Sequence, residues 1–513
     1  TPARAANECG APSGSPQTVV CTDAGNPYSG GINYHEPDGL LLEVRNGVVV
    51  NRTPGTGAYS VQLSSSGTGP LHLKVEQGVE LTTSGDQAYN VQVHAGATST
   101  SDVTIDFAGN ISYSYNGPVS GGAGAGGIIG RASNTDSAAS ISITQRAEST
   151  IDVEGEEVLG LYAYHAGLGD ATITSSGKIQ AKGYGAYGIN LFASNASSTG
   201  NLSAVQTAGA TISTSGEAGA GVYILHYGLG AIDADIRGSI ETDGNFTDGL
   251  TAYIANADSA AGMTIRFAET AQVTTQGTGF GAWLLHLGRG ATTVTNAGTI
   301  ETFGASAFGI FAQSSIAAND AIHSVTLTGN GSVTTHGDDA SGIRISHAGS
   351  GKAEVYLKDA SQVTTSGDRA HGVWAKATDN GASTVVQEAG SAISVAGEES
   401  YGVFAEAKGA TVVGIAGTVQ ATGASGVGIF ATSSDDAATV ALGSGAVVTG
   451  GWQNDAGGPA TPAAGVLIGA ATAGLVDTAG KIGAASDRAI ADANRGSGSG
   501  GALEIRNAGT ITG

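Results

Sequence analysis

The sequence predicts an all-β fold, a single-stranded parallel β-helix of about 15 coils with about 30 residues in each. Three observations carry this reading. Glycine supplies 84 of 513 residues and proline only 10. Hydrophobic residues reach 40 % and are rich in β-branched types, whereas charged residues are 13 % and aromatics 5 %. A five-residue pattern, aliphatic-x-Thr/Ala/Val-x-Gly, returns at intervals of 26–38 residues. Collagen is excluded because glycine has no three-residue period, and disorder because so much apolar sequence needs burial. Propeller blades, leucine-rich repeats and hexapeptide helices have different periods.

The chain divides into an N-terminal cap, residues 1–45, and the β-helix proper, residues 46–513. The cap holds both cysteines, Cys9 and Cys21. One close pair and no other cysteine predicts a local disulfide and an oxidising, extracytoplasmic setting. An early coil occupies residues 48–70. The anchor pattern then starts at Leu81, Ile151, Ile179, Ile212, Ile240, Val273, Ile300, Val333, Val363, Ile393, Val419 and Val447, with degenerate copies at Tyr113 and Ile482. A second apolar run follows about ten residues later, as in Gly309-Ile310-Phe311-Ala312, and a third closes the unit, as in Thr292-Thr293-Val294-Thr295. Each run is too short to fold alone, but stacking coils about 4.8 Å apart pairs it with its counterparts. Glycine is expected where the chain leaves a strand, often with positive φ, and Gly and Ala are expected to let successive turns stack closely. Asn507-Ala508-Gly509-Thr510-Ile511 repeats Asn296-Ala297-Gly298-Thr299-Ile300, so the last coil is expected to be truncated.

The Asn-x-Gly-Thr-Ile turn, the coil length, the acidic glycine-rich composition, the scarcity of cysteine and the truncated last coil resemble the passenger domains of Gram-negative autotransporters, the type V secretion family. The resemblance covers nearly the whole chain. It implies a right-handed β-helix, displayed on the bacterial surface or secreted after outer-membrane translocation, with a C-terminal autochaperone region and β-barrel beyond Gly513. It also implies adhesins, self-associating factors or binders of host proteins, and a minority of proteases or esterases.

Composition narrows the function. A formal net charge of −23 argues against nucleic acid and anionic membrane as partners. The longest apolar runs, Leu40-Leu41-Leu42 and Val48-Val49-Val50, are far below a membrane-spanning length, so no direct insertion is expected. The chain starts at Thr1 and its one methionine is Met263, as in a processed form. Gly-Asp-Ser-Gly-Gly and Gly-x-Ser-x-Gly motifs are absent, and Gly349-Ser350-Gly351-Lys352 lacks the spacing of a P-loop. No catalytic residue, metal ligand or cofactor is assigned.

Two patterns stand out. His94, His165, His226, His286 and His347 recur in every second coil, and read as turn residues capping the second strand. Their spacing of about 10 Å cannot share one metal. The middle residue of that strand points outward, and its column reads Gln92, Tyr162, Asn190, Tyr223, Thr251, Trp283, Phe311, Arg344, Trp374, Phe404, Phe430 and Leu467. Seven of these twelve are aromatic. Tyr162, Tyr223, Trp283, Phe311, Arg344, Trp374, Phe404 and Phe430, with Trp452 from a loop, are the candidate partner-binding residues; mutual packing of the rings is the alternative. Insertions at Asn116–Gly127 and Trp452–Ala464 form a second candidate surface. The expected function is non-catalytic protein binding by an adhesin or self-associating virulence factor. The alternatives are capture of a soluble host regulator, such as a complement or plasma protease inhibitor, and cleavage of a polysaccharide.

Overall fold

The computed structural model describes residues 8–52, 54–117, 124–453, 462–494 and 500–512. Among them the only helix is a 3-10 turn, Asp23–Gly25; all other regular structure is β-strand. The fold is the right-handed parallel β-solenoid that the sequence predicts, with about 15 turns, three strands per turn and three parallel sheets. The strands group into two compact units, Thr1–Asn256 and Ala257–Gly513.

In the first unit, Thr18–Cys21 pairs in parallel with Leu40–Val44, which pairs with Leu71–Val75, and so on through sheet 1. Sheet 2 begins with Ile32–His35 beside Tyr59–Ser65. Sheet 3 carries the anchors, with Val50, Leu81, Ile111, Ile151, Ile179, Ile212 and Ile240 in register. The second unit repeats this plan, its anchors running from Val273 and Ile300 to Ile482 and Ile511. Strict alternation drives each strand to bury one face. Ile232–Ile236, for example, buries Ile232, Ala234 and Ile236 and leaves Asp233 and Asp235 half-exposed. The core is aliphatic, with Phe107 and Phe267 its largest fully buried side chains.

Two anchors sit elsewhere than the pattern suggested. Ile111, not Tyr113, pairs with Ile151, and Tyr113 lies opposite Val153. Val448, not Val447, pairs with Val419. In both cases the glycine at the end of the pattern had been matched at the wrong distance from the buried aliphatic residue.

Glycine does both jobs expected of it, but divides them differently between the two units. In the second unit, a Cβ on Gly337, Gly367, Gly397 or Gly423 would lie 1.8–2.0 Å from the carbonyl oxygen of the equivalent glycine one coil earlier. These residues are glycine because backbone stacks on backbone. The positive φ of that turn, 54–58°, falls two residues later on Ser306, Asp339, Arg369, Glu399 and Ser425. In the first unit the corresponding Gly85, Gly155, Gly183, Gly216 and Gly244 do take positive φ.

Cys9 and Cys21 form a disulfide, with Cα atoms 5.0 Å apart. It ties the start of the described chain to the first strand of sheet 1. The Asn-x-Gly turn is held by its own side chain: the Gly298 N–H donates to Asn296 Oδ1 at 3.0 Å, and Gly509 repeats this with Asn507 at 2.9 Å.

Candidate functional site

The outward column of sheet 2 is real and in register. In the first unit it runs Asn33, Gln62, Gln92, Ile129, Tyr162, Asn190, Tyr223 and Thr251. In the second unit it runs Trp283, Phe311, Arg344, Trp374, Phe404, Phe430, Leu467 and Ala491. Its aromatic members are half-buried rather than free. Their neighbours three residues earlier form a parallel row that sequence reading missed, including Phe280, Phe308, His371 and Tyr401. The signal for it was an aromatic or histidine recurring just before the strand.

The two rows interlock. Phe280 stacks on Phe308 at 5.3 Å; Phe280 meets Trp283 and Phe311 edge to face, and Phe308 meets Phe311 the same way. His371 stacks on Tyr401 at 4.6 Å, while Trp374, Phe404 and Phe430 stack in line at 5.3 and 5.1 Å. Arg344 breaks the aromatic run yet continues it chemically. Its guanidinium carbon lies 4.0 Å from the Trp374 ring centre and 5.1 Å from that of Phe311, so a cation bridges two π faces. The Trp374 indole N–H donates to Glu406 Oε1 at 3.1 Å. The Trp283 indole nitrogen is buried without a hydrogen-bond partner among the described residues. Leu467 and Val427 end the row in an apolar cluster packed against Tyr401 and Phe430.

Trp452 does not join this column. It is 50 % exposed and follows the strand Val447–Gly450, its carbonyl accepting from the Ser425 N–H. Of the two predicted loop surfaces, residues 118–123 and 454–461 lie outside the described residues, while Ala125–Ala132 is a strand of sheet 2.

The histidines separate into two kinds. His94 lies opposite Arg131, one position away from the others, and its ring meets Ser133 Oγ at 2.9 Å. His165, His226 and His286 are buried caps. Each ring meets a carbonyl of an adjacent coil through Nε2 (Ala139, Gly200 and Ala261, at 2.7–2.9 Å) and accepts the N–H two residues on through Nδ1. That is the turn role expected of them. Burial pushes all three rings toward the neutral form. Among the described residues, buried His347 has no hydrogen-bond partner for either ring nitrogen. His323, from the strand Ile322–Leu327, lies between His286 and His347, with ring centres 6.1 and 4.7 Å away. Among the described residues, no group of three or more His, Cys, Asp or Glu is arranged to hold a metal ion.

This arrangement offers a continuous, rigid, aromatic surface with one embedded cation. No protein-family model matches the sequence, and neither a curated protein nor a solved structure matches it.

Proposed function

We propose that the chain is a non-catalytic binding scaffold, an extracellular autotransporter passenger that engages a protein partner through the outer face of sheet 2. Another copy of the chain is the first partner to test. The observation carrying this reading is the double aromatic row of the second unit, from Phe280 to Phe430, whose outer rings stay half-exposed on sheet 2. Aromatic and arginine side chains of this kind are the usual anchors of protein interfaces. Two such faces are self-complementary under a two-fold axis. The net charge of −23 opposes close approach at low ionic strength, so association should strengthen as salt screens it.

Sedimentation velocity over rising protein concentration, at low and high salt, tests the proposal. The parent chain should shift to a dimer or larger species. Replacing Trp283, Phe311, Trp374 and Phe404 together with threonine should hold it monomeric with the far-UV circular dichroism unchanged. A parent chain that stays monomeric at every concentration and salt overturns self-association, and a serum pull-down that retains nothing then overturns protein binding.

A further inference from the structure

A groove of about 730 Å³ lies over sheet 2 within the first unit, and six of the chain's 15 tyrosines line it: Tyr59, Tyr89, Tyr162, Tyr164, Tyr184 and Tyr187. It is separate from the double aromatic row described above. Tyr162 meets Tyr164 edge to face at 6.3 Å, and Tyr164 meets Phe192 at 5.6 Å, so the wall presents both ring faces and ring edges. Tyr184 projects at the rim, 57 % exposed.

The polar groups of the groove are under-used. Arg131 lies over the Tyr164 ring at 4.8 Å, and its Nε–H donates to Ser133 Oγ at 3.1 Å. Among the described residues it pairs with no carboxylate, although acidic residues outnumber basic ones 44 to 21. Asn190 Oδ1 is buried with no hydrogen-bond partner among the described residues. Gln62 Nε2 donates to Gln92 Oε1 at 2.8 Å, which leaves the Gln92 amide N–H groups for another acceptor. Glu157 adds a carboxylate at the side of the groove.

Such a lining suits a ligand that is apolar on one face and polyhydroxylated around its edge, which is the chemistry of a saccharide. Ring faces take the C–H surface, Glu157 accepts hydroxyl protons, and Gln92 donates. An unpaired arginine held on an aromatic platform selects a planar carboxylate. An extended peptide is less well served. The strand Val158–His165 is already paired on both sides, with Ala125–Ala132 and Tyr187–Ala193, so no free sheet edge is offered. We propose that this tyrosine-lined groove binds an oligosaccharide bearing a carboxylated sugar, with Arg131 holding the carboxylate and Tyr162, Tyr164 and Tyr184 stacking on the sugar rings.

Titration calorimetry of the full chain with sialyllactose, and with lactose as the same core lacking the acid, tests this. Saturable binding of sialyllactose is expected, about tenfold or more tighter than lactose. Arg131→Gln should weaken sialyllactose by about 10- to 100-fold and remove the preference. Tyr184→Ser, at an exposed ring, should weaken both sugars without altering the circular dichroism. Three results each overturn the proposal: no saturation by either sugar up to about 10 mM, well above a millimolar Kd; equal binding of the two; or unchanged affinity in Arg131→Gln. Because the groove and the aromatic row lie on different residues, sugar binding and self-association succeed or fail independently.

Discussion

Acid should loosen the second unit through two histidines, and the size of the effect follows from their setting. His323 and His347 are 0 % and 1 % exposed, with ring centres 4.7 Å apart. Asn319 Nδ2 lies 3.1 Å from His323 Nε2, consistent with a neutral ring that accepts. Burial, with the neighbouring imidazoles adding to it for His323, pushes that ring down to about 3; burial pushes His347 down to about 4. Both folded values lie below the value of about 6.5 for an unfolded histidine. The unfolded chain therefore takes up protons first. The stability these neutral rings permit is complete above about pH 6.5 and drains away as pH falls toward 4 and then 3. At about pH 4.5 the loss is about 2–3 kcal/mol for each ring. Denaturant unfolding at about pH 7.5 and 4.5 measures it, comparing the parent with the His323→Asn, His347→Gln double variant. The variant should lose up to about 5 kcal/mol of pH dependence, whatever its stability at neutral pH, since carboxylates titrate alike in both proteins. Equal pH dependence in parent and variant would refute the reasoning.

Three further outcomes are expected. Gly372→Ala would place a Cβ 2.5 Å from Ile393 Cγ2 and 2.6 Å from the Gly402 carbonyl, so a loss of about 1–3 kcal/mol should appear as a lowered thermal midpoint. Opening the Cys9–Cys21 disulfide, which closes a 12-residue separation, should cost about 3 kcal/mol; hydrogen exchange should speed up in Thr18–Cys21 and leave the second unit unchanged. Trp374→Thr removes the Phe404 stack, the Arg344 contact and the bond to Glu406. It should cost about 2–4 kcal/mol in urea unfolding, and an unchanged midpoint would show the row to be energetically idle.

The fold was legible because period and alternation are local properties. A buried aliphatic residue every coil, flanked by outward polar ones, dictates sheet 3 whatever lies around it. The outward column was legible for the same reason, since Trp283 to Phe430 share one position in a strand. Its partner row was not, because Phe280, His371 and Tyr401 precede the regular alternation and are brought alongside only by the bend into the strand. The grouping of His323 with His286 and His347 was hidden more deeply. It joins two different sheets, and no spacing along the chain reports a contact made across the interior. Glycine was legible in kind but not in place: it marks a turn for two reasons, and sequence does not say at which coil φ or the coil beneath is the constraint.

The stacked glycines of the second unit have a bearing on how such a chain can change over generations. Gly337, Gly367, Gly397 and Gly423 each fit only against the backbone of the coil before. Each of these coils thus carries one half of a joint whose other half is supplied by the matching glycine of its neighbour. Duplication or loss of a complete coil preserves every joint, whereas inserting part of one breaks two. Length is therefore the cheapest dimension for this architecture to vary, and the outward side chains are free to diverge while the joints stay the same.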